Sequence, residues 1–138
     1  MLPEHNWKAG FSIPSKVVQL YNIYYICIVK QIVAYKDYYK DFYESLSQKE
    51  KDKVDRVMVL MQSENRLPAH YIKPLEDGIN KLRISVPNKE LRVFFIYDGE
   101  QLVILFNCFV KKTQKTPRTE IEKAVRLKKE YYEQKNAL

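Results

Sequence analysis

Arg83 and Arg92 are the side chains whose type and spacing first suggest chemistry. They lie in two strand-like runs joined by Pro87-Asn88. A two- or four-residue turn there sets them directly opposite each other, and Pro87 favours the four-residue version because it fits a two-residue primed turn poorly. Like charges facing each other across a strand pair are destabilising by up to ~1 kcal/mol. An anion held between them removes that penalty, and phosphate suits arginine because the guanidinium fork matches its oxygens. The other reading is a solvated face on which the two side chains splay into water, and a three-residue turn would separate the pair altogether. Strand alternation adds Lys81, Ser85 and Asn107 to the same face, with Lys111 if its strand persists. Past that strand, cations replace apolar residues in Lys111-Lys112-Thr113-Gln114-Lys115-Thr116-Pro117. This stretch is either the rim of a phosphate site or a solvated basic loop.

The elements that must position these groups form an α+β pattern. Residues 92–117 read as strand, tight turn, strand, basic loop and helix start. Asp98-Gly99 is a two-residue hairpin signal, since glycine accepts the positive φ such turns need. That turn sets Phe95 opposite Leu102 and Val93 opposite Ile104. One sheet face then carries Leu82, Ile84, Leu91, Val93, Phe95, Tyr97, Leu102, Ile104, Phe106, Cys108 and Val110, nearly all apolar, and it should pack on a helical hairpin. Asp37 is placed to cap the first helix of that hairpin, with Tyr39, Phe42, Tyr43 and Leu46 on one face. Ser47-Gln48-Lys49-Glu50 is a capping box opening the second, with Val54, Val57, Met58 and Met61 at helical spacing and an end near Asn65. Residues 64–78 read as a loop. Strands follow at about 79–86, 90–97 and 101–110, and an earlier one at about 31–35. The last helix opens at Thr116-Pro117, with Thr116 as cap, or at Thr119 with Glu122 completing a box; Ile121, Ala124, Leu127 and Tyr131 line one side. The order is β-α-α-β-β-β-α, an antiparallel-rich sheet.

Composition narrows the class. At 138 residues the chain suits one domain with a real core, and 46% hydrophobic with 30% charged residues excludes a disordered chain. The net charge of +7 is unevenly spread: residues 111–138 hold nine Lys/Arg against four Asp/Glu, whereas residues 37–64 hold five against seven. A basic excess at one end favours a polyanionic partner, nucleic acid first. Cys27 and Cys108 form no CxxC or Cys/His cluster, so no structural zinc is expected. The apolar run 17–29 is too short to span a bilayer, and a cytoplasmic protein without membrane contact is expected. Residues 1–30 are set apart as an N-terminal extension, leaving residues 31–138 as the domain.

Taken together, Lys73-Pro74-Leu75, Asp77-Gly78, Leu82-Arg83-Ile84, Leu91-Arg92-Val93, Phe109-Val110-Lys111-Lys112-Thr113-Gln114-Lys115-Thr116-Pro117 and Glu120-Ile121-Glu122-Lys123-Ala124 resemble the RelE/HigB-like toxins of bacterial type II toxin–antitoxin modules, in the branch marked by FxKKTxKTP. The resemblance runs from about Gln31 to Gln134. It implies a RelE/ParE-like fold with a helical hairpin on one face of the sheet and a C-terminal helix. It also implies a metal-independent endoribonuclease that cuts mRNA on the ribosome and is inhibited by a cognate antitoxin, often of helix-turn-helix type. Carried over by motif, Arg83 and Arg92 would grip the scissile phosphate. Lys111 and Lys112 would border the cleft, one of them acting as general base or acid if neighbouring cations depress its pKa. Lys73 would touch substrate and Lys115 the RNA backbone, with Lys81 and Asn107 in the same cleft.

The chain departs from that pattern at Cys108, where the branch usually has glycine, and at Asn80-Lys81, which replaces an aromatic-acid pair and makes the cleft more basic. His70 reads as a surface-loop residue and His5 lies outside the matched region. The tyrosines at helical spacing read as packing, while Tyr131 and Tyr132 could stack on a nucleotide. Two other functions use the same scaffold: a ParE-like gyrase-inhibiting toxin without RNase activity, and a non-catalytic RNA-binding or antitoxin-binding relic.

Overall fold

The computed structural model describes residues 30–63, 67–112 and 115–138. The expectations for residues 1–29, including His5, Cys27 and the proposed extension, lie outside these. The element order is β1 (Gln31–Ala34), α1 (Tyr38–Glu44), α2 (Gln48–Ser63), β2 (Ile72–Pro74), β3 (Asn80–Val86), β4 (Lys89–Tyr97), β5 (Leu102–Val110) and α3 (Arg118–Asn136). The five strands form one mixed sheet in the order β1-β5-β4-β3-β2. Only the β1–β5 pair is parallel. β2 is an addition to the expected order. It falls inside the segment read as a loop, and it ends at Pro74 on the sheet edge, where a proline need donate nothing to a neighbour.

Both faces of this sheet are covered. The helical pair α1–α2 packs on the face of Leu82, Ile84, Leu91, Val93, Phe95, Val103 and Leu105, using Leu46, Val54, Val57 and Met61. Helix α3 covers Phe94, Ile96, Ile104 and Phe106 on the other face with Ala124 and Leu127, and Ile121 and Tyr131 pack alongside. The capping box opens α2 as expected: Ser47 N donates to Glu50 Oε1 at 2.9 Å and Glu50 N to Ser47 Oγ at 3.3 Å. Ser47→Ala should cost ~1 kcal/mol, read as a lower urea midpoint; an unchanged midpoint would show the box contributes nothing. Asp37 sits at the start of α1 but makes no side-chain cap.

The β3–β4 register is the expected one, with Arg83 opposite Arg92. Its turn is the two-residue version, since Val86 pairs with Lys89. Proline is tolerated because this is not a primed turn. Asn88 takes φ +66, and proline followed by a positive-φ residue is the type II pattern.

The β4–β5 connection departs from expectation. The turn at Asp98-Gly99 is longer than two residues: Tyr97 pairs with Val103 and Phe95 with Leu105. Gly99 takes φ +77, and the Asp98 carboxylate accepts from Tyr131 Oη at 2.6 Å and Lys135 Nζ at 2.8 Å. The turn is therefore shaped by α3 as well as by its own residues. The longer loop turns Leu102, Ile104 and Phe106 toward α3, away from the hairpin face expected for them. Tyr97, expected in the core, is 42% exposed.

Between Val93 and Phe95 the ladder slips: Val93 pairs with Cys108, Phe95 with Leu105, so Phe94 alone spans Phe106 and Asn107. This two-against-one arrangement is a β-bulge. It returns Cys108 and Val110 to the hairpin face, where they were expected, and keeps Asn107 on the other side.

Candidate active site

Helix α3 lies over only part of its sheet face. At the β2–β3 end the register aligns cationic residues in three rows. Lys73 pairs with Lys81 on β3, which pairs with Phe94. Arg83 pairs with Arg92, which pairs with Phe109. Ser85 pairs with Glu90, and Lys111 N donates to the Glu90 carbonyl at 2.8 Å, so the ladder continues one residue past β5.

The two arginines have different surroundings. Arg92 is 2% exposed, and its Nε donates to Glu90 Oε2 at 2.8 Å. Its Nη1 donates to Thr116 Oγ1 at 3.2 Å. Arg83 is half-buried, and its Nε donates to the His70 carbonyl at 3.1 Å. Among the described residues neither terminal nitrogen of Arg83 has an acceptor, so this guanidinium keeps free the fork that binds phosphate.

Lys81 is 5% exposed, and its Nζ donates to the same Thr116 Oγ1 at 3.1 Å. Burial pushes its pKa down to about 8, helped by the charges of Arg92, Lys73 and Arg83. An ammonium that loses its proton near neutral pH can take or give one during a reaction. The resemblance points to Lys111 and Lys112 for proton transfer, whereas the lysine whose pKa burial pushes down is Lys81. Nothing in the sequence beyond its place between Lys73 and Arg83 announces this, because the cause is burial beneath the start of α3.

Thr116 does not cap α3 as expected. The N-cap position is Pro117, and no side chain caps the helix there. The threonine hydroxyl is committed instead to the two buried cations. The bulge directs Asn107, 1% exposed, at the first turn of α3, where its Nδ2 donates to the Glu120 carbonyl at 3.0 Å. Its Oδ1 is the one buried side-chain oxygen or nitrogen without a partner among the described residues. Lys112 and Lys115 are exposed at the margin of this face and Lys73 at its edge. The structure thus brings Lys73, Lys81, Arg83, Arg92 and Lys111 to one face, with Asn107 buried beside them.

Cys108 is not part of the site. Its Sγ packs against the hairpin side of the sheet, and burial raises its thiol far above the usual range, so it acts as a small apolar residue. The ring of His70 stacks on Tyr71 with centroids 4.3 Å apart. Tyr131 and Tyr132, read as open for stacking, pack against the apolar cluster under α3.

Comparison with known proteins adds three findings. The family described as Phage derived protein Gp49-like matches residues 41–129. Two curated relatives, each named probable endoribonuclease HigB1, come from Mycobacterium tuberculosis strains CDC 1551 / Oshkosh and ATCC 25618 / H37Rv. Each is 41% identical over 71 residues, covering 50% of this chain and 56% of the relative. The chain thus spans little more than half the length of the curated relatives it matches. Among solved structures, a free-state double arginine-to-alanine mutant of the Escherichia coli toxin RelE superposes with a TM-score of 0.50 at 14% identity. That superposition covers 71% of this chain and 96% of the RelE chain, so the fold is RelE-like.

Proposed function

The chain belongs to the Phage derived protein Gp49-like family, and from that premise we propose that it is the toxin of a toxin–antitoxin module, an endoribonuclease that cuts mRNA on the ribosome. The observation that carries this reading is the juxtaposition on one sheet face of Arg83, its facing partner Arg92 and the easily deprotonated Lys81. The likeness to HigB1 endoribonucleases and to the RelE fold supports it.

In the proposed reaction the RNA 2′-oxygen attacks the adjacent phosphorus, the bond to the 5′-oxygen breaks, and the products are a cyclic phosphate and a 5′-hydroxyl. Arg83 binds the phosphate with its open fork and offsets the charge that builds on the phosphorane. Neutral Lys81, ~6.6 Å along the strand from Arg83 on the same face, takes the 2′-hydroxyl proton, and the leaving 5′-oxygen takes its proton from water. Arg92, held by Glu90, acts from behind as a fixed positive charge that keeps Lys81 readily deprotonated. Lys73, Lys111, Lys112 and Lys115 carry the flanking RNA backbone, with Asn107 holding the start of α3 in place. No metal or cofactor takes part. A cognate antitoxin, of helix-turn-helix type, would silence the protein by covering this face. The working compartment is the cytoplasm, and no helix among the described residues is long and apolar enough to cross a membrane.

Induction in growing cells followed by mapping of mRNA 5′ ends tests the reading. New ends that carry a 5′-hydroxyl and disappear when translation is blocked are the expected result. Growth arrest with intact mRNA and broken DNA would replace the nuclease with gyrase inhibition.

A further inference from the structure

We propose that the cleft beside Arg83 is a nucleoside subsite that takes a guanine next to the cut phosphate, with Glu90 as its specificity-determining residue; the placement next to the cut rests on the nuclease reading above. The cleft has a volume of ≈ 310 Å³ and is lined by Lys53, His70, Tyr71, Arg83, Ser85 and Glu90. That volume lies at the small end of ligand sites and suits one nucleoside. His70 and Tyr71 supply ring surfaces at a tilt of 34°, and base stacking on rings tolerates any base. Lys53 and Arg83 supply positive charge for the backbone. Among the described residues Glu90 is the only carboxylate in the lining.

A carboxylate repels phosphate, so the part it can play toward RNA is to accept N–H donors from a base. Its side chain is 21% exposed, and Arg92 holds Oε2 at 2.8 Å. A carboxylate has about four acceptor positions, so one bond to Arg92 leaves both oxygens able to accept more. Guanine places two donors side by side on its pairing edge, the ring N1–H and the exocyclic amine. Adenine and cytosine put an acceptor beside their amine, and uracil flanks its N–H with two carbonyls. Guanine alone offers a donor to each carboxylate oxygen. Ser85, directly across the strands from Glu90, brings a hydroxyl that can donate to the guanine carbonyl. Glu90 is also joined through Arg92 and Thr116 to Lys81, so a seated base and the proton-moving lysine share one hydrogen-bonded chain.

Titration of the purified full chain with GMP and with AMP, followed by amide chemical shifts at Tyr71 and Ser85, tests the subsite directly. Mapping of the base beside each cut tests it in cells. GMP should bind roughly tenfold or more tighter than AMP, and guanine should dominate beside the cut. In Glu90→Gln the amide oxygen stays on Arg92 and the NH₂ group meets the guanine donors, so both preferences vanish. Glu90→Asp, which keeps the charge but cannot reach both Arg92 and the base, should lose the selectivity too and serves if the glutamine variant is poorly folded. Equal binding of GMP and AMP, no binding of either, or selectivity retained in both variants would overturn the proposal. Selective GMP binding without RNA cleavage would sink the nuclease reading and leave the subsite standing. Cleavage without base preference or GMP selectivity would do the reverse.

Discussion

Arg83→Ala should lower RNA cleavage ~10²–10³-fold while leaving the melting temperature close to that of the unchanged protein. The reasoning starts from its contacts. Arg83 is half-buried, and among the described residues its side chain makes one hydrogen bond, to a main-chain carbonyl, so its loss costs the fold little. A charge aimed at developing phosphorane charge is strengthened as the reaction proceeds, so the loss should appear in kcat more than in KM. Arg92→Ala should differ in kind. It strips the partner from Glu90 and a donor from Thr116 inside the protein, so it should lower activity and melting temperature together. Single-turnover cleavage on translating ribosomes, paired with thermal melts, separates the two. Full activity in Arg83→Ala would remove the residue from the site.

Lys81→Met should abolish most activity, by ~10²–10⁴-fold, and yet stabilise the protein. A lysine whose folded pKa is about 8 against an ordinary 10.5 is one whose charged form the fold disfavours. Its contribution is fully present above about pH 10.5 and is lost as the pH falls to about 8. At neutral pH the native state therefore carries a cost of ~3 kcal/mol that a methionine of similar length does not. Urea denaturation at pH 7 should show the variant more stable, and the advantage should shrink as the pH rises past 8. The same perturbation fixes the activity profile: cleavage should climb with pH and level off above about 8, as neutral Lys81 accumulates. Arg83→Ala should move that midpoint upward, because one of the charges opposing the ammonium is gone. Lys81→Arg keeps the charge but cannot give up a proton, so it should be as inactive as the methionine variant. A pH profile without a rise toward 8 would rule Lys81 out as the base.

The legible parts of this molecule are those set by short-range chemistry. The Ser47–Glu50 box, the helical spacing of Val54, Val57 and Met61, and the Pro87-Asn88 turn act within a few residues, and each fixes its own element. The facing of Arg83 and Arg92 follows from that turn and was readable without coordinates. The β4–β5 register was not, because Asp98 answers to Tyr131 and Lys135 from a helix more than thirty residues on. The bulge at Phe106-Asn107 was hidden too, since both sides of it read as unbroken apolar strand. The candidate site was legible as a set of cations and illegible as a ranking among them. Which lysine is buried, and which arginine is paired, depends on where Thr116 and Glu90 end up once α3 docks.

The bulge at Phe106-Asn107 sets the phase of the far half of β5. Before it, the even-numbered residues of β5 lie under α3; after it, the odd-numbered ones do. A regular ladder that kept Asn107 and paired it one-to-one would put the far half of β5 out of step, carrying Cys108 and Val110 to the α3 side and Phe109 and Lys111 to the hairpin side. The basic loop that follows would start from the wrong surface without any of its own residues having changed. The irregularity of the ladder at this one position is as much a part of the site as the identity of the cations that follow it.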